Sequence, residues 1–548
     1  MMPVEETDVL IVGCGPVGAL TANLLGLNGV RTLVLERELT EHCQPRAITC
    51  DDEALRIYQA AGLGEVLDAH MRTSHAAEFQ GTAGEVFARV VFEGLDFGYG
   101  FPAIRFFSQP YVEQVLRQGM QRFPHVELRI GQRVESFIQD TGSISALVQD
   151  VRDGSTRTVR ARYLLACDGA RSAMRQHAGI EMVGSTYQEM WLTVTLQLPE
   201  PLRAPTRFIC DPERPVMISP TVGNEVRYEC MLKRGERPEE VASPANVRRL
   251  LSPYVDMDRA TVVRAACYVF NRRVAGRWRS GRMFLLGDAA HLMPPFMGQG
   301  LVSGLRDAAN LSWKLASVVH GQAGDSLLDT YEQERRPHAE AMLQVSVNVG
   351  HVFLTRRQQV ARVRDVFFRA LDHIPRAHRF IRNFEFKPQP LIPKGFLVGG
   401  ARSHRQAPEG EYFPQPRVAL PTGAEVRLDE VLGPGFAVVL HPDLKEASRR
   451  AAEALAESVG ARCVSFLPAG TGPALPGEVV DVEGKLSAWF RQHQVEVAVV
   501  RPDRYVFGAV RGSHLSWLTS ALRAWLIGAP PALAQVPPLA PVLRPSGS

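Results

Sequence analysis

Between Asp8 and Arg31 the chain runs from Val9 to Val30, 22 residues, without a charge, and a stretch of that kind must leave water. Its length suits a membrane span, but Gly13, Gly15, Pro16, Gly18, Gly26 and Gly29 interrupt it, and the acidic pair Glu5-Glu6 precedes it where a basic flank is expected. A buried strand, turn and helix accounts for the same residues. Asp8–Val12 reads as a parallel strand, Ala19–Leu27 as a helix and Arg31–Leu35 as the next strand, so the chain opens on a βαβ unit.

The turn inside that unit is Gly13-Cys14-Gly15-Pro16-Val17-Gly18. In a dinucleotide-binding turn the first glycine permits the tight reversal, the second lets backbone approach a pyrophosphate and the third lets helix pack on strand. The phosphates then face free N–H groups at the helix N-terminus. Glu36 ends the second strand, eighteen residues past Gly18, where a carboxylate can accept hydrogen bonds from ribose hydroxyls. With strand, helix and acid all in place the pattern predicts a dinucleotide site; the bland alternative is a glycine-rich turn of an ordinary α/β domain. Nothing in this turn separates FAD from NAD.

At 548 residues the chain is long enough for two to four domains. A formal net charge of +4 with scattered arginines gives no case for nucleic acid or an anionic membrane surface as partner. Eight cysteines without a C-x-x-C pair argue against a disulfide scaffold or zinc site and predict a cytoplasmic protein. The 15 histidines form no metal-binding pattern and no G-x-S-x-G elbow occurs, so neither a metal nor a serine nucleophile is expected.

Further along, helical patterns cover 51–70 and 109–122, and strands are expected near 126–138, 144–151 and 157–166. Residues 76–105 are aromatic and β-like, and 185–270 alternate in period two with proline breaks, the pattern of an antiparallel sheet. Met283–Leu286 reads as a buried strand, followed by long helices over 299–320 and 325–350. A composition shift near 385–412 suggests a linker; beyond it Ala437–Leu440, 444–459, Cys463–Phe466, 484–492, Val497–Val500 and Val506–Gly508 outline a small α/β domain. The final dozen residues, rich in Pro and Ala, read as a tail.

Two later segments bear on the cofactor. Tyr163–Ala166 is a buried strand leading into Cys167-Asp168-Gly169-Ala170-Arg171-Ser172, and Phe284–Leu286 leads into Gly287-Asp288-Ala289-Ala290-His291, then Pro294-Pro295 and Gly298-Gln299-Gly300 before a helix. An acid at a strand end among small residues can hold a chain of sugar-like hydroxyls. Glycines opening a helix leave N–H groups and a positive dipole end free for the negative charge of a reduced flavin. Taken alone, each segment is equally readable as turn chemistry.

In this order and spacing the three segments resemble the dinucleotide fingerprint, the D-G motif and the G-D motif of the single-component FAD-dependent aromatic hydroxylases, over about residues 5–350. Gln44–Leu55, Leu328–Pro337 and Phe413–Val418 are similar to the 3-(3-hydroxyphenyl)propionate hydroxylase branch. The resemblance implies an α/β fold of the p-hydroxybenzoate hydroxylase type. FAD-binding parts would lie at 1–75, 109–182 and 271–385, substrate-domain parts at 76–108 and 183–270, and a linker at 386–412. A thioredoxin-like domain at 413–535 and a tail at 536–548 complete the layout.

The same resemblance implies that Gly13, Gly15, Pro16 and Gly18 form the FAD turn, that Glu36 with neighbouring Arg37 meets the adenosine ribose, and that Arg46 and Gln109 contact the cofactor. Asp168, Gly169 and Arg171 match a motif linked to FAD and nicotinamide binding. Gly287-Asp288 would hold the ribityl chain, and Gly298, Gly300 and Leu301 would edge the flavin pyrimidine. Arg46 and Pro295 would sit nearest the chemistry. An ion pair for Arg46 and a helix cap for Gln109 are the plain alternatives.

The sequence departs from the family where many relatives carry an Asn after the G-x-G-L segment and this chain has Val302-Ser303, and where the terminal domain keeps a single cysteine, Cys463. A packing or homodimer role for that domain is therefore expected rather than a redox one. Met217, Met231 and the aromatics of 97–107 either line a substrate pocket or form plain core.

The implied activity is hydroxylation of a phenolic small molecule with NADH or NADPH and O₂ through a flavin C4a-hydroperoxide. Competing readings are a tailoring oxygenase or epoxidase of the same fold, an NAD-dependent dehydrogenase, and a flavin-binding sensor without turnover.

Overall fold

The computed structural model describes residues 5–40, 47–81, 84–472 and 474–528. They form two compact units: Met1–Phe97 with Phe101–Ser312 and Pro337–Gln389, and Gly98–Gly100 with Trp313–Arg336 and Pro390–Ser548. The class is α/β, and among the described residues there are sheets of eight, eight, seven and three strands.

The first unit is built on the uncharged N-terminal run. Glu5–Val12 lies between Thr32–Glu36 and Thr156–Ala166, parallel to both; Val126–Ile130 and Met283–Leu285 extend the parallel sheet on either side. Val9, Leu10, Ile11 and Leu33–Leu35 are buried, as expected for strands covered on both faces. The register fixes what emerges at the carboxyl edge. Val12 is level with Leu35 and Ala166, and Ala166 with Leu285. The segments Gly13–Gly18, Glu36, Cys167–Gly169 and Gly287–Asp288 therefore leave the sheet at one end, where open α/β sheets take their ligands. Helix Pro16–Leu27 follows the first strand, so the long uncharged run is spent on a strand, a turn and a buried helix. Among the described residues no helix is long and apolar enough to cross a membrane.

The second sheet of this unit interleaves distant segments. Its order is His291–Leu292, Thr261–Ala275, Met182–Gln197, Glu225–Met231, Val216–Pro220, Thr206–Ile209, Ala76–Gln80 and Val86–Val91. All pairs are antiparallel except Thr206–Ile209 with Ala76–Gln80, which brings an early stretch into a later sheet. One face packs Leu192, Val194, Tyr228 and Cys230 on Val247 and Leu251 of helix Pro244–Leu251. The other packs Trp191, Phe208, Met217 and Met231 with Phe296 and Phe353. Helices Gln358–Asp372 and Pro375–Arg382, arginine-rich and without a long apolar run, were not expected from the sequence.

In the second unit Ala437–Leu440 and Arg462–Pro468 pair in parallel, as do Arg462–Pro468 and Glu478–Asp481, while Val497–Val500 and Val506–Val510 complete the sheet antiparallel. The mixed sheet with helices Glu446–Ser458, Lys485–His493 and Leu515–Leu526 is the thioredoxin-like layout. The boundary at Gln389 falls inside the stretch expected as a linker, yet Phe396 and Leu397 beyond it are buried, and Trp525 Nε1 donates to the Leu397 carbonyl at 2.9 Å. The Cys463 thiol is pushed up to about 11 by burial, so it stays protonated at neutral pH. The tail at 536–548 lies outside the described residues.

Candidate active site

A cavity of about 570 Å³ opens at the carboxyl edge of the parallel sheet, entirely within the first unit. Gly13, Gly15, Pro16, Glu36, Arg37, Gln109, Asp168, Gly169, Asp288, Pro295, Gly298, Gly300 and Leu301 all line it. Those residues span the sequence from 13 to 301, and it is the strand register above that gathers them.

Gly13 has φ +98°, its N–H donates to Leu35 O at 2.8 Å, and a Cβ there would stand 2.5 Å from Cys167 O; only glycine fits. Gly18 does not line the cavity: a Cβ on it would strike Gly13 O, so it serves the packing of helix on turn. Gly15 is the N-cap of helix Pro16–Leu27 and faces open space, with no side-chain cap and no acid in the first turn. The helix N-terminus is thus free for an anion. Glu36 Oε2 accepts from Cys14 N–H at 2.7 Å and Oε1 from Glu38 N–H at 2.9 Å, which holds the carboxylate beside the turn. Arg37 is exposed and pairs with Glu38 at 3.0 Å.

Gln109 opens helix Gln109–Met120; its Oε1 accepts from Ala47 N–H at 2.9 Å and its Nε2 donates to Glu113 at 2.8 Å. Arg46 lies outside the described residues, but Thr40 and Ala47 on either side of that gap both line the cavity. Arg117, on the same helix as Gln109, lines it too and donates to Cys14 O at 3.2 Å. No local pattern in the sequence singled that arginine out.

Asp168 Oδ2 accepts from Met174 N–H at 3.1 Å, while Oδ1 is buried without a hydrogen-bond partner among the described residues, and burial pushes the carboxyl up. Such an oxygen is suited to a hydroxyl donor from a ligand. Arg171 is exposed and lines no part of the cavity. Arg175, four residues on, donates to Ala170 O and to Ala289 O, each at 3.0 Å, and so ties the Asp168 loop to the Asp288 loop.

Gly287 packs against Val17, and its N–H donates to Asp307 Oδ2 at 3.1 Å; the same oxygen lies 2.7 Å from His291 Nε2, both side chains fully buried. This pair, of which the sequence marks only His291, shapes the turn that presents Asp288. The turn Pro295–Met297 ends at Gly298 in the left-handed conformation, φ +64°, where a Cβ would meet Thr49 Oγ1. Gly300, in the first turn of helix Gln299–Val319, faces open space. Ser303 is fully buried, within 3.8 Å of Met293 Sδ, and does not line the cavity.

Beneath that helix start lies a cluster that chain order conceals. Asp51, Asp52 and Glu53 meet Arg306 and Lys387, all buried: Arg306 reaches Asp51 and Glu53 at 2.7 Å each, and Lys387 reaches Asp51 at 2.9 Å and Glu53 at 3.1 Å. Three acids close together resemble a cation site, but two cationic side chains already fill the position. Gln299 donates to Asp51 at 3.2 Å and accepts from Arg306 at 3.0 Å, which anchors the loop that carries Gly298 and Gly300.

The remaining walls are mostly apolar, with Thr206, Ser219 and Glu229 as polar members contributed by the second sheet. Phe79, Phe92, Phe208, Phe296, Phe384 and Phe386 line a chamber beyond Pro295, with Met217 among them. Met231 packs in the aromatic cluster behind it, and of residues 97–107 only Ile104 reaches the cavity; Phe101, Phe106 and Phe107 are core. The residues present fit an FAD: a free helix N-terminus beside an open glycine, an unpartnered buried carboxylate oxygen, and a second open glycine at a helix start.

Residues 6–346 match the FAD binding domain family and residues 410–525 the HcaD C-terminal domain family. The chain is 39% identical over 534 residues to a 3-(3-hydroxy-phenyl)propionate/3-hydroxycinnamic acid hydroxylase of Mycobacterium sp. (strain JLS), covering 94% of this chain and 91% of that one. It is 38% identical over 511 residues to the enzyme so named from Klebsiella pneumoniae (strain 342), covering 92% and 91%. Among solved structures, the flavin-dependent monooxygenase PieE in complex with FAD and substrate superposes with a TM-score of 0.80 at 23% identity, over 96% of this chain and all (100%) of that one, a likeness of fold.

Proposed function

The chain belongs to the FAD-dependent aromatic hydroxylases, on the branch of the 3-(3-hydroxyphenyl)propionate hydroxylases, and from that premise we propose that it hydroxylates the ring of a phenol bearing a short polar or acidic side chain, using NADH or NADPH and O₂. The observation that carries this reading is the single cavity that joins the dinucleotide turn, Asp168 and Asp288 to an aromatic chamber.

When bound, FAD supplies hydride acceptance from the nicotinamide and transfer of one oxygen atom of O₂ to the ring. The chain's own residues supply place and environment. The N–H groups that open helix Pro16–Leu27 would hold the pyrophosphate, Glu36 the ribose, and Asp168 and Asp288 the hydroxyl-bearing parts. The N–H groups after Gly298 would offer donors and a positive helix end to the flavin's pyrimidine edge, where they would stabilise negative charge. Gln109 fixes the turn at Ala47, and Arg46, which precedes Ala47 in the sequence, would contact the cofactor. The phenylalanines keep water from the chamber, which favours oxygen transfer over loss of H₂O₂. The second unit serves packing or dimer formation.

The test is incubation of the FAD-loaded protein, NADH or NADPH and a phenol panel under ¹⁸O₂. One labelled oxygen in a catechol or hydroquinone is expected, with one nicotinamide oxidised per product. Label in an alkene, or in no product of any phenol, overturns the reading.

A further inference from the structure

The antiparallel sheet lends the cavity eight side chains: Ala77, Phe79, Val90, Thr206, Phe208, Met217, Ser219 and Glu229. Only Glu229 of these ionises. Strand alternation puts it there. Along Glu225–Met231, Val226, Tyr228 and Cys230 turn to the core under helix Pro244–Leu251, so Arg227, Glu229 and Met231 take the opposite face. Pairing sets Glu229 level with Met217 on one side and Thr193 on the other. It is 7% exposed, and no hydrogen bond or ion pair to its carboxylate forms among the described residues. Arg227, two residues along the strand, offsets only part of the burial that pushes the carboxyl up.

A carboxylate in an aromatic chamber is costly unless something donates to it. A ligand that completes the site brings an O–H or N–H to this wall; a carboxylate presented here is repelled. Resting on the reading above, in which that ligand is a phenol, we propose that Glu229 accepts the hydrogen bond of the substrate's ring hydroxyl and takes its proton in the reaction. The substrate is thereby seated with its hydroxyl toward the Glu225–Met231 strand and any acidic side chain away from it. The phenol O–H bond breaks and an O–H bond forms on Glu229. The electron pair left on oxygen spreads to the ortho and para ring carbons and makes them better nucleophiles toward the one oxygen atom that is transferred from O₂, the other leaving as water at the expense of NAD(P)H. The proton returns to that oxygen when the hydroxylated carbon loses its C–H proton to solvent and the ring regains aromaticity. The raised carboxyl suits the task, since a base acts best when its affinity for the proton approaches that of the group it serves.

The experiment compares FAD-loaded wild type, Glu229→Gln and Glu229→Asp on a series of ring-fluorinated phenols of rising acidity, reading labelled product per NADH oxidised and its pH profile. Wild type is expected to lose product formation on the acid side, above the ordinary carboxylate range. Glu229→Gln, which keeps shape but takes no proton, is expected to lose that limb and to make about 100-fold less product from the least acidic phenol. Its deficit shrinks as the phenol becomes acidic enough to ionise unaided, and Glu229→Asp recovers part of the rate. An equal loss for every phenol, or none, overturns the proposal and leaves the hydroxylase reading intact. Should Glu229→Gln fail to hold FAD, a wild-type profile without an acid limb overturns it. A wild type that labels no ring overturns both.

Discussion

Asp288 stands in a turn that it does not build. His291 and Asp307, both fully buried, hold Gly287, and Arg175 holds Ala289, so the acid between them is presented to the cavity by groups on three sides. Asp288→Ala is therefore expected to keep the turn and lose a hydroxyl partner, weakening FAD by about 1–3 kcal/mol, the scale of one buried hydrogen bond. Titration of FAD into the flavin-free variant, followed by flavin fluorescence, measures this; an affinity equal to wild type removes Asp288 from the site. At this scale the sequence was legible where geometry is local. Gly13, Gly15 and Glu36 are read from one strand, turn and strand, because a tight reversal admits few residue types. Arg175, with its acceptor 114 residues away, and Glu229, inside a buried strand, carry no local mark; only pairing and packing reveal them.

The acidic turn Asp51–Glu53 shows how an element can be noticed in sequence and misjudged in role. In sequence the segment carries a family resemblance and opens a helical pattern; the charges that explain it, Arg306 and Lys387, lie some 255 and 335 residues away. In the fold Arg306 and Lys387 hold Asp51 and Glu53 ionised, Glu53 down to about 2, while burial and its two ionised neighbours push Asp52 up to about 7. Below about pH 7 two cations then balance two anions and Asp52 carries its proton. The unfolded chain releases that proton near pH 4 at roughly the usual aspartate value, so between about pH 4 and pH 7 the native state holds one proton more. The stability from this group is full below pH 4 and declines as pH rises through about 7. Asp52→Asn cannot ionise and is expected to lose that decline. The difference in melting temperature, variant minus wild type, should be larger at pH 8 than at pH 5. Parallel melting curves across that range refute a protonated Asp52. Its other oxygen, buried without a partner among the described residues, is the site the proton can occupy.

Across the whole chain the same device recurs inside the second unit, where it bears on what the C-terminal part is for. Its strands and helices beyond residue 437 were largely legible, since short apolar runs alternate there with amphipathic stretches; Glu478–Asp481, two valines between acids, was not. What ties the sheet to the segment 313–336 was legible only as a family resemblance at Leu328–Pro337. Glu334, in that segment, accepts from Lys314 and from Arg501 at 2.7 Å each, Arg501 pairs with Asp503 at 2.7 Å, and all four side chains are buried. Glu334 Oε1 also takes the Phe396 N–H at 2.7 Å, so one carboxylate gathers 314, 396 and 501 into a single core. Attraction to the two cations holds Glu334 down to about 2 against the burial that opposes it. Such a group is worth little against an apolar replacement of the whole set, but removing one member strands the rest. Glu334→Ala removes the carboxylate that Lys314 and Arg501 share, and the expected cost is about 3–5 kcal/mol. Glu332, two residues away, pairs with Arg336 at 3.0 Å but is about a quarter exposed, and Glu332→Ala should cost at most about 1 kcal/mol. Hydrogen exchange over Ala437–Leu440 and Val497–Val500 separates the two: protection should collapse in Glu334→Ala and persist in Glu332→Ala. Equal protection in both variants means that the buried charges do not hold this unit together, and that its apolar core, centred on Val439, Phe466 and Ala498, is sufficient.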